Sequence, residues 1–97
     1  MPRTLPATQN DVFLDMLRES RVKMGVTQEA LAAQLGFRQT DISKAERGVR
    51  RLDVLELRAW LTAIGVPFRE FISQMDDRLA SLETLQRSGT GRPRRRS

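Results

Sequence analysis

The chain contains no cysteine, no histidine and no tyrosine, and its 97 residues include only four phenylalanines and one tryptophan. Without cysteine there is no disulfide framework, no thiolate metal site and no cysteine nucleophile. Without histidine the commonest general base and metal ligand is also missing. Carboxylate-only or serine–lysine chemistry stays formally open, but no constellation for it is present. The adjacent acids Asp76 and Asp77 fall on one predicted helix, without a third ligand for a metal. The expectation is a protein that is not an enzyme and that takes no cofactor and no metal.

Long apolar runs are lacking too. None approaches the roughly 18 residues of a membrane span, and the first six residues, MPRTLP, lack the apolar stretch of a signal peptide. A cytoplasmic protein without a membrane partner is expected. Strand signals are equally scarce: no alternating β-branched run occurs, and the glycines are spaced as helix punctuation. No internal repeat is visible. At this length the chain is one domain, able to bury only about two-thirds of the surface its unfolded form exposes.

What is present begins with charge. The formal net charge is +5, from 17 basic and 12 acidic residues. Five of the arginines, Arg87, Arg92, Arg94, Arg95 and Arg96, follow Gln86, so the preceding part balances twelve against twelve. A basic surface on the folded part must therefore come from placement, not from the sum.

Read along its length, the chain starts with residues 1–9, which hold two prolines and few apolar groups and are expected to form a flexible arm. A first helix is predicted from about Asn10, with Phe13, Leu14, Leu17 and Met24 at helical spacing and Gly25 as its stop. Thr27 caps a second helix carrying Leu31, Ala32 and Leu35 on one face; Gly36 ends it and allows the positive φ of a tight turn. The third helix, about Gln39 to Arg47 and closed by Gly48, has Ile42 and Ala45 as a narrow apolar stripe on an otherwise polar surface. Asp53 caps the fourth, with Val54, Leu57, Trp60, Leu61 and Ile64 on its inner face and Gly65 as its stop. Pro67 opens the fifth, which carries Phe68, Phe71, Ile72, Met75, Leu79 and Leu82 and ends near Leu85. Residues 10–86 thus form the folded unit. Residues 87–97 are built from Arg, Ser, Gly, Thr and Pro, cannot repay ordering entropy by burial, and are expected to be a disordered tail.

The segment from Gln28 to Arg47 carries the functional signal. Leu31, Leu35, Phe37, Ile42 and Ala45 are placed to knit two short helices to a core, Ala32 permits their close crossing, and Gly36 makes the turn between them. The opposite face of the third helix is left free for a partner.

These residues belong to a wider pattern: Leu17-Arg18-x-x-Arg21, Thr27-Gln28-x-x-Leu31-Ala32-x-x-Leu35-Gly36, Ile42-Ser43-Lys44-x-Glu46-x-Gly48 and Ala63-Ile64-Gly65-Val66. From about Phe13 to Ile72 the chain resembles the phage-repressor and Cro type of helix-turn-helix domain, the XRE family. It is especially similar to a bacterial subgroup with Arg50-Arg51-Leu52-Asp53 before the fourth helix. The resemblance implies an all-α, compact five-helix bundle of the lambda-repressor-like type. Helices 2 and 3 form the helix-turn-helix, and helix 5 is extended. It also implies a docking mode, with helix 3 in the major groove of duplex DNA.

Carried over position by position, Gln28 is expected to hold a phosphate, and Arg38, Gln39, Thr40 and Lys44 become candidate base readers. Ser43 and Arg47 are expected on phosphates, and Arg50 and Arg51 on the nearby backbone. Asp41 is expected to face a cytosine amino group or a neighbouring arginine. The family pattern usually has Ser or Pro where this chain has Arg38. It also pairs Glu46 with Arg21 in a partly buried ion pair, which makes Glu46 scaffold and not a site.

The resulting expectation is a sequence-specific DNA-binding transcriptional repressor. The row Ile72, Met75, Leu79 and Leu82 has heptad-like spacing and is a candidate homodimer surface. The alternative is an antitoxin-like or adaptor protein whose main role is to bind a protein partner through that ridge. The arginine tail is a candidate arm along the DNA backbone.

Overall fold

The computed structural model describes the backbone of residues 7–90 and the side chains of residues 8–85. Among these residues five α-helices follow one another: α1 Ala7–Lys23, α2 Gln28–Leu35, α3 Gln39–Glu46, α4 Val54–Ile64 and α5 Phe68–Thr90. No strand occurs among the described residues. Helix α2 packs on α3 and α4, α1 packs on α3 and α5, and α4 closes against α5.

The helix ends follow from local chemistry. The Thr27 side chain accepts the Ala30 N–H at 3.0 Å, which satisfies one of the donors left open at the start of α2. At the other end Gly36 adopts φ 72°, and its N–H reaches the Ala32 carbonyl. A side chain would strain that left-handed conformation, and without it the chain could not reverse into α3. Asp53 caps α4 by accepting the Glu56 N–H at 2.7 Å, while the Glu56 carboxylate accepts the Asp53 N–H at 3.0 Å. That reciprocal box comes from the Asp-x-x-Glu spacing.

The core centres on Trp60, Phe71, Leu17, Leu31, Ile42 and Leu61, all essentially without solvent contact. Full burial of each is worth roughly 1.5–3 kcal/mol relative to exposure. Phe13 meets Phe71 edge to face, with ring centroids 6.3 Å apart. The Trp60 indole N–H lies buried with no hydrogen-bond partner among the described residues.

Several boundaries depart from the sequence expectation. Helix α1 begins at Ala7 and not near Asn10, so residues 7–9 are helix and only residues 1–6 of the expected arm lie outside the described residues. The extra turn is tied down by a tertiary contact: the Gln9 amide donates to Glu83 of α5 at 3.3 Å. Helix α5 runs to Thr90, through the first four residues of the expected tail. Extending an existing helix is far easier than nucleating one, so polar residues can follow a long apolar stretch into it. The rest of the tail, residues 91–97, lies outside the described residues.

Two core assignments also change. Met16 is buried in α1, whereas Met24 is exposed. Val54 is 65% exposed, because the first residue of α4 lies at the rim and not over the core. Arg47 is the C-cap of α3 and not its last helical residue.

Candidate nucleic-acid interface

Helix α3 buries Ile42, Ala45 and Glu46 and turns its other residues outward. Gln39, Ser43 and Arg47 form one row at four-residue spacing, and Thr40 and Lys44 form the adjacent row. Thr40, Lys44 and Arg47 are exposed, while Gln39 and Ser43 are half-buried. The Arg47 Nε–H donates to Ser43 Oγ at 3.3 Å, which lays the arginine back along the helix. Arg38 is exposed at the N-cap and Arg51 is exposed in the loop after α3. A polar and cationic face therefore surrounds a helix whose opposite stripe is locked into the core.

A chain of side chains fixes that face. Arg21 of α1 holds Glu46 of α3 through both carboxylate oxygens, at 2.5 and 3.1 Å. The Arg21 side chain is 11% exposed and that of Glu46 3%. Arg21 also donates to the Val26 carbonyl at 2.8 Å, so the α1–α2 connection is gripped by the same guanidinium. Gln28 of α2 donates to Glu46 Oε1 at 3.1 Å and accepts from the Gln39 amide at 2.5 Å. The buried ion pair expected from Arg21 and Glu46 is thus present. Through Gln28 it continues to the first residue of α3.

Two further site candidates make contacts within the protein. Asp41 is half-buried and accepts the Arg38 N–H at 3.1 Å. A carboxylate in the first turn also favours the helix dipole. It thereby supplies the capping that the Arg38 side chain does not.

Arg50 is half-buried as well. Its guanidinium stacks over the Phe37 ring, 4.7 Å from the centroid, and pairs with Glu56 at 3.0 Å. That hydrogen bond, joined by the Asp53 N–H, holds the Glu56 carboxyl below its usual value of 4.5. Of the two loop arginines, Arg51 is exposed and makes no such side-chain contact among the described residues, whereas Arg50 braces the loop against the start of α4.

The sequence reading missed Glu56 and Phe37 as partners of Arg50. The Asp53-x-x-Glu56 spacing signals the cap, but nothing in it signals the arginine six residues earlier. Gln28 was legible as a first-turn residue, but its amide bridge to Gln39 arises only once α2 and α3 cross.

Comparison with known proteins bears on the same elements. Residues 17–71, more than half of the chain, match the family model described as helix-turn-helix. Among solved structures, an XRE-family like protein from Pseudomonas syringae pv. tomato str. DC3000 is similar with a TM-score of 0.69. It is 37% identical, over 72% of this chain and 85% of that one. No curated protein sequence matches the chain. No described helix is long and apolar enough to cross a membrane. With α2 and α3 crossing at Gly36, and with the family match spanning α2, α3 and α4 in full, the chain belongs to the XRE family of DNA-binding helix-turn-helix regulators.

Proposed function

We propose that the protein is a sequence-specific transcriptional repressor that reads duplex DNA with the outer face of α3. The observation that carries this reading is the fixed Arg21–Glu46–Gln28–Gln39 chain, which holds the recognition face to the scaffold before any DNA is met. A side chain ordered in advance loses less freedom on binding, so more of its contact energy goes to discrimination. Gln39 is the first base reader, since an amide can pair in bidentate fashion with adenine. Thr40 offers a methyl to thymine, and Lys44 and Arg38 suit guanine. Gln28, Ser43, Arg47 and Arg51 hold phosphates. Arg50 and Asp41 act indirectly, the first by bracing the loop that carries Arg51 and the second by capping α3.

A homodimer through α5 is part of the proposal. Ile72 and Met75 pack partly on the core, while Leu82 is half-exposed and Leu85 is 69% exposed beyond them. Dimers of such domains read half-sites one helical turn apart.

Selection of bound duplexes from a random pool tests the reading. The expected result is a palindromic site with half-sites about 10 base pairs apart centre to centre. Recovery of no common sequence, with binding that depends only on salt, would leave the antitoxin-like or adaptor role as the better account.

A further inference from the structure

A cavity of about 250 Å³ lies between α1, the end of α3, the loop to α4, and α5. Phe13, Leu14, Leu52, Met75 and Leu79 give it apolar walls, and Asn10 and Arg51 are among its polar lining residues. Gly48 belongs to the wall as well; a Cβ there would stand 2.9 Å from Leu14 Cδ1, so the backbone approaches α1 as closely as a glycine allows. Arg51 is exposed, with no side-chain partner among the described residues. The half-buried Asn10 amide likewise makes no hydrogen bond to the described protein. Arg50, which also lines the cavity, is already paired with Glu56.

We infer that this cavity is a ligand site for a small amphipathic monocarboxylate, with its apolar tail between α1 and α5 and its carboxylate on Arg51 and Asn10. Three features select that chemistry. The walls are mostly apolar, which favours an alkyl or aryl body. The open donors at Arg51 and Asn10 suit one carboxylate, which accepts from a guanidinium fork and from an amide N–H. The volume, below that of a drug-sized pocket, limits the ligand to about ten non-hydrogen atoms.

The site also bears on DNA binding, and this half of the inference rests on Arg51 as a phosphate contact. A carboxylate on Arg51 competes with the phosphate for the same guanidinium, so ligand and DNA oppose each other. By linkage, each weakens the other's affinity by the same factor.

The experiment uses octanoate as the probe and the full chain without DNA, read by methyl chemical shifts. Saturable shifts are expected at Leu14, Leu52 and Leu79. Hexanoate, two methylenes shorter, should bind roughly fifteenfold more weakly, at about fourfold per methylene. Octanol should bind at least tenfold more weakly than octanoate, and Asn10→Asp should weaken octanoate by a similar factor by placing a like charge at the carboxylate.

Equal binding of octanol and octanoate would overturn the assignment, as would no saturation of those methyls at millimolar octanoate. Shifts that follow protein concentration and ignore octanoate would give the cavity to a second copy of the chain and equally overturn it. A second measurement, DNA affinity at saturating octanoate, should show a loss of about fivefold or more. If octanoate binds in the cavity and DNA affinity is unchanged, the ligand site stands and the competition at Arg51 does not.

Discussion

Replacing Glu46 with alanine isolates the interaction that joins α1 to the recognition helix. In the parent, Glu46 receives three hydrogen bonds, two from Arg21 and one from Gln28, and its side chain is 3% exposed. Removing it leaves the Arg21 guanidinium buried with, among the described residues, only the Val26 carbonyl to accept from it. Breaking a buried pair from one side costs roughly 3–5 kcal/mol, most of it the penalty of the stranded charge. A domain of this length is stable by about 5–15 kcal/mol in total, so the loss is a large share. At 4–8 °C per kcal/mol for small domains, the midpoint of thermal unfolding should fall by roughly 12 °C or more.

The assay is urea unfolding followed by far-ultraviolet circular dichroism, with Trp60 fluorescence as a second probe of the core. A companion variant carrying both Arg21→Met and Glu46→Leu removes both charges and keeps the volume apolar. It should be more stable than Glu46→Ala, because nothing charged is left unpaired. A Glu46→Ala variant within about 0.5 kcal/mol of the parent, the range of ordinary surface substitutions, would refute the reasoning. So would a double variant less stable than the single one.

Further outcomes follow from other positions. Gly36→Ala meets open space at φ 72°, so only the backbone conformation resists it, at roughly 1–2 kcal/mol. Gly48→Ala carries the same backbone cost at φ 79° and also drives a Cβ into Leu14, so its urea midpoint should be the lower of the two. The Glu56 carboxyl is held below its usual 4.5, first by Arg50 and then by the Asp53 N–H. Its contribution is therefore complete above that value and is lost as pH falls through the lower folded value. Glu56→Gln should flatten the fall in stability on acidification below pH 4.5, and an unchanged profile would remove Glu56 from the account. Arg51→Ala should reduce the slope of log affinity against log salt by about 0.9, the value of one phosphate contact.

Much of this fold was legible in the sequence because helix ends carry local chemistry. Thr27 and Asp53 cap the helices they precede, and Gly25, Gly36 and Gly65 take the positive φ that a stop requires. The seams Leu31–Ala32 and Ile42–Ala45 are buried as their spacing implies. What escaped depends on contacts between distant segments. The first turn of α1 is held by Gln9 on Glu83, and a proline-rich beginning gives no hint of it. Arg50 turns inward because Phe37 and Glu56 meet there, so two arginines adjacent in the sequence take different positions. Met75 and Leu79 read as a dimer row, but they also wall the cavity beside α1. A one-dimensional pattern cannot distinguish those uses, because both need the same apolar side chains at the same spacing.

The central claim is that α3 reads base sequence through Gln39, held by Gln28, while Arg51 contributes affinity without sequence. Binding of the parent, Gln39→Ala and Arg51→Ala to a selected site and to each of its single-base variants measures this directly. The predicted result is that Gln39→Ala loses about 1–3 kcal/mol of discrimination at one base position and keeps it elsewhere. Arg51→Ala should weaken every duplex by a similar factor and leave the preferences intact. Two variants that weaken all duplexes alike, with discrimination unchanged at every position, would contradict the account.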